Sequence, residues 1–252
     1  MNVTERKSSP SAPRVPGERL TVFVVDNDAA IRRSLESLIR GRGWQPAVFA
    51  SAREFLGLPR TREPSCLILD AILPDLSGLD LQRRVSDRTD MPVIFLTAQT
   101  DIQATVRAMK AGALEYLTKP FQHEVLLSAI SFALERSQAL QTAEAAMRRV
   151  GERYASLSRR EREVMELVVS GRLNKQIGAT LGVAEITVKL HRGNVMRKML
   201  ADSVPELVKM ATTLGLVTVP CVPGALLRSV VSYPADLNRS ARVPAVLASA
   251  GA

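Results

Sequence analysis

Two aspartates, a threonine and a lysine each stand at or just past the end of a short apolar run in the first half of this chain. Asp26 follows 20–25, Asp70 follows 66–69, Thr97 follows 93–96, and Lys119 follows 114–117 by one residue. Carboxylate oxygens that leave room for retained water suit Mg²⁺. A hydroxyl and an ammonium beside them suit a phosphoryl group, whose charge needs neutralising. Other metal chemistry is poorly served. The two histidines, His123 and His191, and the two cysteines, Cys66 and Cys221, lack the spacing of a zinc site or a disulfide framework. Cys66 lies inside an apolar run and reads as a small core residue. No nucleophile is paired with a histidine in this half, which argues against a hydrolase and for a chain that is not an enzyme.

These groups need a frame that brings strand ends together. Runs at 20–25, 45–49, 66–69, 93–96 and 114–117 read as buried strands, and 30–39, 79–85 and 102–110 have helical spacing. A further helical pattern begins near Glu124 and continues without glycine or proline to Val150, with fraying expected near Gly151. Strands alternating with helices imply an α/β fold: a five-stranded parallel, doubly wound, flavodoxin-like sheet. Right-handed crossovers place every strand's C-terminal end on one edge. That edge gathers Asp26, Asp70, Thr97 and Lys119.

The second half differs in charge. Residues 20–137 hold 14 basic and 14 acidic side chains, whereas 138–217 hold 13 and 8, within an overall net charge of +9. A basic segment favours polyanions such as nucleic acid. Its pattern is helical throughout. Ser158 and Glu161 form a capping-box pair ahead of 160–169, Asn174 starts 175–181, and 184–200 and 204–214 follow. Gly182-Val183-Ala184 joins two of these helices in a helix-turn-helix arrangement. At 100° per residue, Val188, Val195 and Met199 of the third helix share one face. Lys189, Leu190, Gly193 and Arg197 point away from it. A basic face with an exposed leucine suits the major groove of double-stranded DNA, where Leu190 can meet a thymine methyl and Lys189 a guanine edge or a phosphate. The apolar Leu207, Val208, Ala211 and Leu214 make 204–214 a candidate dimer helix for the DNA-bound state. The plain alternatives are a solvated basic helix for the first face and ordinary core packing for the second.

Four segments then carry a resemblance: VFVVDND at 22–28, LILDAILPDLSGLDL at 67–81, FLTA at 95–98 and YLTKPF at 116–121. Together they resemble the receiver domain of two-component response regulators over about 120 residues. LSRREREVMELVVSG at 157–171 and NKQIGATLGVAEITVKLHRGNVMRKM at 174–199 resemble the four-helix DNA-binding domain of the LuxR/FixJ/NarL group. The resemblance implies that Asp70 accepts phosphate from a sensor histidine kinase. It implies that Asp26, Asn27, Asp70 and the Ile72 carbonyl hold Mg²⁺, that Thr97 and Lys119 bind the phosphoryl oxygens, and that Tyr116 is the switch aromatic. It places base contacts at Lys189, Leu190 and Gly193. Lys175, Thr187 and Arg197 resemble phosphate contacts, and Arg192, nearer the core stripe, has an ambiguous role.

One position departs from the family pattern. Asn27 stands where a second acidic residue is usual, so weaker Mg²⁺ binding is expected, and a receiver that controls DNA binding without phosphorylation stays open. A phosphorelay or interaction module with a merely basic surface is the rival reading. The expected division is a flexible arm at 1–19, a receiver at 20–137, a helical linker at 138–157, a DNA-binding domain at 158–217 and a mostly disordered tail at 218–252. The expected assembly is a homodimer when phosphorylated, acting at promoters and in contact with RNA polymerase. No apolar run approaches the roughly 18–20 residues of a membrane helix. The polar N-terminus, with Pro10, Pro13 and Pro16, lacks a secretory signal's apolar stretch. The expected location is therefore the cytoplasm, with no membrane partner.

Overall fold

The computed structural model describes residues 19–98 and 101–216. The expected tail and all but the last residue of the expected arm lie outside these. The first half alternates β1 (Thr21–Val25), α1 (Ala29–Gly41), β2 (Gln45–Phe49), α2 (Ala52–Leu56), β3 (Ser65–Leu69), α3 (Gly78–Arg84), β4 (Val93–Thr97), α4 (Ile102–Lys110) and β5 (Glu115–Thr118). The strands are parallel in the order β2-β1-β3-β4-β5. This is the doubly wound arrangement expected. The strand order reverses between β1 and β3, where such sheets bind ligands.

The central strands are buried on both faces, which explains their unbroken apolar runs. On one face Val22, Val24, Ile68 and Ile94 pack against Leu35 and Ile39 of α1 and the start of α5 (His123–Ala155). On the other, Phe23, Leu67, Leu69 and Phe95 pack against Phe55, Leu81 and Ala108 of α2, α3 and α4. Cys66 is fully buried, and desolvation pushes its thiol pKa well up, so it is a core residue as read. Helix α2 is missing from the sequence reading. Five residues are too few for a helical period, although Ser51 caps it, accepting from Glu54 N–H at 3.3 Å.

The expected fraying at Gly151 does not occur. Helix α5 runs 33 residues, through Gly151, to Ala155. Its first turns lie on the sheet through Leu126, Ile130 and Leu134. Beyond the sheet, Ser137 Oγ accepts from Ser65 N–H at 2.9 Å and donates to the Asp90 carbonyl at 2.5 Å. One turn on, Gln141 donates to the Glu63 carbonyl at 3.0 Å and to Asp90 Oδ2 at 3.1 Å. At the far end Val150 and Tyr154 pack into the core of the second half, which overrides the glycine's weak helix propensity.

That second core joins α6 (Arg159–Val169), α7 (Asn174–Leu181), α8 (Glu185–Met199) and α9 (Val204–Thr213). Ser158 and Glu161 form the expected capping box. Asn174 is the first helical residue rather than the cap, because Gln176 Oε1 accepts from Leu173 N–H at 3.0 Å and starts α7 there. Leu207 and Ala211 are fully buried in this core and Leu214 packs against it, so core packing, not a dimer contact, accounts for them. Among the described residues no helix is long and apolar enough to cross a membrane.

Candidate functional site

The C-terminal ends of β1, β3, β4 and β5 meet as the sequence implies. Asp26 and Asp70 are almost fully buried, and Thr97 is fully so. Lys119 Nζ donates to Asp26 Oδ2 at 2.6 Å and to Asp70 Oδ2 at 2.9 Å. The other oxygen of each carboxylate is held by main chain. Asp26 Oδ1 accepts from Asp28 N–H at 2.8 Å, and Asp70 Oδ1 from Ile72 N–H at 3.1 Å. Thr97 is drawn to the same rim, its carbonyl accepting from Lys119 N–H at 2.7 Å. Partial burial acts to lower the Lys119 pKa, but the hydrogen bonds and charges of the two aspartates outweigh it and raise it. Two carboxylates against one ammonium leave a net negative site with only oxygen donors, which fits a hard dication.

Asn27 and Asp28, unlike this pair, have exposed side chains. Asp28 caps α1, its Oδ1 accepting from Ala30 N–H at 2.7 Å, and those backbone bonds lower its pKa. Among the described residues no three acidic, histidine or cysteine side chains cluster where a metal could be held. A Mg²⁺ ion at Asp26 and Asp70 would thus complete its shell with amide or carbonyl oxygen and water. Tyr116 stacks on Phe95 at 5.7 Å between centroids, and its hydroxyl is buried with no hydrogen-bond partner.

The sequence reading missed Gly78. A Cβ there would lie 2.4 Å from the Asp70 carbonyl oxygen, 2.9 Å from Ala71 Cα and 3.1 Å from the Phe95 ring. Only glycine lets α3 approach the segment that carries Asp70 so closely. In the sequence Gly78, eight residues after Asp70, carries only the mark of a turn glycine ahead of a helix.

The helix-turn-helix is formed by α7 and α8. Gly178 makes the turn tight, since a Cβ there would meet the Val183 carbonyl at 2.7 Å. Val188, Val195 and Met199 are buried, while Lys189, Leu190, Gly193 and Arg197 are exposed, as the helical spacing predicts. Lys175 is exposed and Thr187 half-buried. Arg192, ambiguous by spacing, donates to Asn174 Oδ1 at 3.0 Å and so ties α8 to α7. His191 is half-buried with Nδ1 unpartnered, and His123 lies beside Phe121. Lys198 Nζ donates to the buried Glu161 at 2.6 Å, and with the cap bond to Ser158 this lowers the Glu161 pKa to about 2.

An acidic strand-end site on a flavodoxin-like sheet, followed by a basic helix-turn-helix unit, defines a class of two-part regulators. Residues 22–131 match the response regulator receiver domain, and residues 155–211 match the bacterial regulatory proteins of the luxR family. Nodulation protein W of Bradyrhizobium diazoefficiens is 46% identical over 196 residues, which are 77% of this chain and 86% of that protein. The transcriptional regulatory protein FixJ of Azorhizobium caulinodans is 41% identical over 202 residues, 79% and 95% of the two chains. Among solved structures, the response regulator StyR is 40% identical with a TM-score of 0.72, covering 77% of this chain and 98% of its own. The chain therefore belongs to the response regulators, as a DNA-binding transcriptional regulator of the FixJ/LuxR type.

Proposed function

We propose that Asp70 is the phosphoacceptor, served by a sensor histidine kinase, and that its phosphorylation controls binding of α8 to promoter DNA. The observation that carries this is one ammonium, that of Lys119, bridging Asp26 and Asp70 at the sheet's switch point. A carboxylate oxygen of Asp70 attacks phosphorus, the P–N bond of the phosphohistidine breaks, and the imidazole nitrogen keeps the electron pair and takes up a proton. Asp26, Asp70, Asn27 and the Ile72 carbonyl would hold Mg²⁺, which screens the incoming phosphoryl charge. Lys119 and Thr97 then bind the phosphoryl oxygens, and Tyr116, with no partner to hold its hydroxyl, is free to follow Thr97.

The same reading divides the chain into receiver, helical linker and DNA-binding domain at 20–137, 138–157 and 158–217. The face of α4 and α5 that exposes Ile102, Val106, Met109, Val125 and Phe132 is the surface for a phosphorylated homodimer. Lys175, Thr187 and Arg197 contact phosphate, and Lys189 and Leu190 base edges, where Gly193 admits close approach. Arg192 positions α8 through Asn174. Such a protein works in the cytoplasm and contacts RNA polymerase at its promoter.

The test is incubation with acetyl phosphate and Mg²⁺, followed by intact mass and a DNA gel shift over a salt series. The expected result is one added phosphoryl group, absent in Asp70→Asn, and a steep loss of DNA affinity with salt that Arg197→Ala makes shallower. Phosphoryl uptake that survives Asp70→Asn refutes the assignment.

A further inference from the structure

The outward face of α8 carries a feature that phosphate contact does not explain. Ile186 is 74% exposed and Leu190 64%. Four residues apart on one helix, they lie side by side, with Cβ atoms about 6 Å from each other. With Val188 at zero and 100° per residue, Ile186 falls at about 160° and Leu190 at about 200°, opposite the buried stripe. Two large aliphatic side chains are thus presented to water at the centre of a face that also carries Lys189 and Arg197. They occupy the N-terminal half of α8, the half that meets base edges when such a helix enters the major groove. One turn on, Gly193 offers no side chain, and a Cβ there would meet nothing of the protein within 4 Å. The fold does not need glycine at this position, and glycine is a poor helix former. A bare backbone is useful there for close approach by something outside the chain.

We infer that Ile186 is a specificity-determining residue, and that with Leu190 it recognises the 5-methyl groups of thymines in each half-site. Among the donors and acceptors that line the major groove, the thymine methyl is the bulky apolar group available to an aliphatic side chain. The basic charge of this half supplies the complementarity that brings the pair to DNA rather than to an apolar protein surface. The neighbouring polar groups are engaged along the helix, Lys189 with Glu185 at 3.2 Å and Arg197 with Asn194 at 3.1 Å. A spacing of about 6 Å covers one to two base steps of about 3.4 Å, so the two methyls belong to base pairs one or two steps apart.

This inference rests on α8 being the recognition helix. It is tested with the full-length chain, treated with acetyl phosphate, selecting duplexes from a random pool. Each thymine of the enriched half-site is then replaced by deoxyuridine, which deletes the methyl and keeps every hydrogen-bonding edge. Two positions should lose affinity about fourfold each, the worth of one buried methyl-sized group. In Ile186→Ala, deoxyuridine at one of these positions should cost nothing further, and Leu190→Ala should do the same at the other. Both side chains are solvent-exposed, so alanine leaves the fold intact. An enriched site indifferent to methyl deletion, or equally sensitive in Ile186→Ala, overturns the inference alone. A pool with no enriched sequence overturns the recognition role of α8 and the inference with it. Variants that bind the duplex normally but fail to activate transcription in vitro would assign the pair to a protein partner and also overturn it.

Discussion

Replacing Gly78 by alanine adds one methyl group at the first position of α3, and two opposed effects follow. Alanine is the better helix former by up to about 1 kcal/mol, less at a helix end. Against this, the new Cβ falls 2.4 Å from the Asp70 carbonyl oxygen and 2.9 Å from Ala71 Cα. Both are backbone atoms, and the third neighbour is the fully buried Phe95 ring. None is the loose end of a side chain that can swing away. Forced overpacking of this kind costs about 1–3 kcal/mol, so the variant should lose about 1–2 kcal/mol net. The strain falls on residues 70 and 71, so Asp70 also shifts against Lys119, and phosphoryl uptake should slow by roughly tenfold or more. Trp44, the single tryptophan, is buried between α1, α5 and the sheet, so its fluorescence in a urea titration reports this half specifically. Uptake from acetyl phosphate gives the second readout. An unchanged urea midpoint with an unchanged uptake rate would refute the packing argument. Gly193→Ala is the control: with nothing in reach of its Cβ, it should stabilise the protein by up to about 1 kcal/mol.

Asn27→Asp restores a charged ligand beside Asp26, and the Mg²⁺ concentration for half-maximal phosphorylation should fall roughly tenfold or more, given unit-charge energies of about 4 kcal/mol at 4 Å near a surface. An unchanged requirement would show that position 27 does not touch the ion. Glu161, held at a pKa of about 2 by Lys198 and Ser158, contributes stability above its ordinary value near 4.5 and loses it as pH falls toward 2. With Lys198 about one-third exposed, the contribution is about 1–2 kcal/mol. Glu161→Gln should therefore weaken hydrogen-exchange protection of α6 at pH 6, and the gap should shrink to about a quarter of that by pH 2.5. Leu200 caps α8 in the left-handed region at φ 54° with its side chain 61% exposed. Leu200→Gly should relieve about 1 kcal/mol of strain and so raise the melting temperature of the helical domain.

The strands and the rim residues were legible because a strand buried on both faces must be apolar throughout, and a site at its end must then break that run with a polar group. Asp26 and Asp70 announce themselves this way. Close approach leaves no such mark, and Gly78 reads as an ordinary turn glycine until its neighbours are known. Arg192 had no clear role because its partner, Asn174, is 18 residues away on another helix. Gly151 misled for the opposite reason: local propensity argued for a break, and packing of Val150 and Tyr154 decided otherwise. Ile186 obeys the same helical arithmetic that places Leu190, at about 160° from Val188, but it lies outside the stretch 188–199 whose faces the buried stripe defines.

The long helix α5 is anchored twice, to the receiver as far as Gln141 and to the second core from Val150 onward. Only the eight residues 142–149 lie between these anchors, roughly 12 Å of rigid rod. Torque applied at one end therefore reaches the other with little slack. It follows that this spacer tolerates length changes only in phase. One inserted residue turns one module against the other by roughly 100°, whereas seven bring it back to within about 20° of the starting angle.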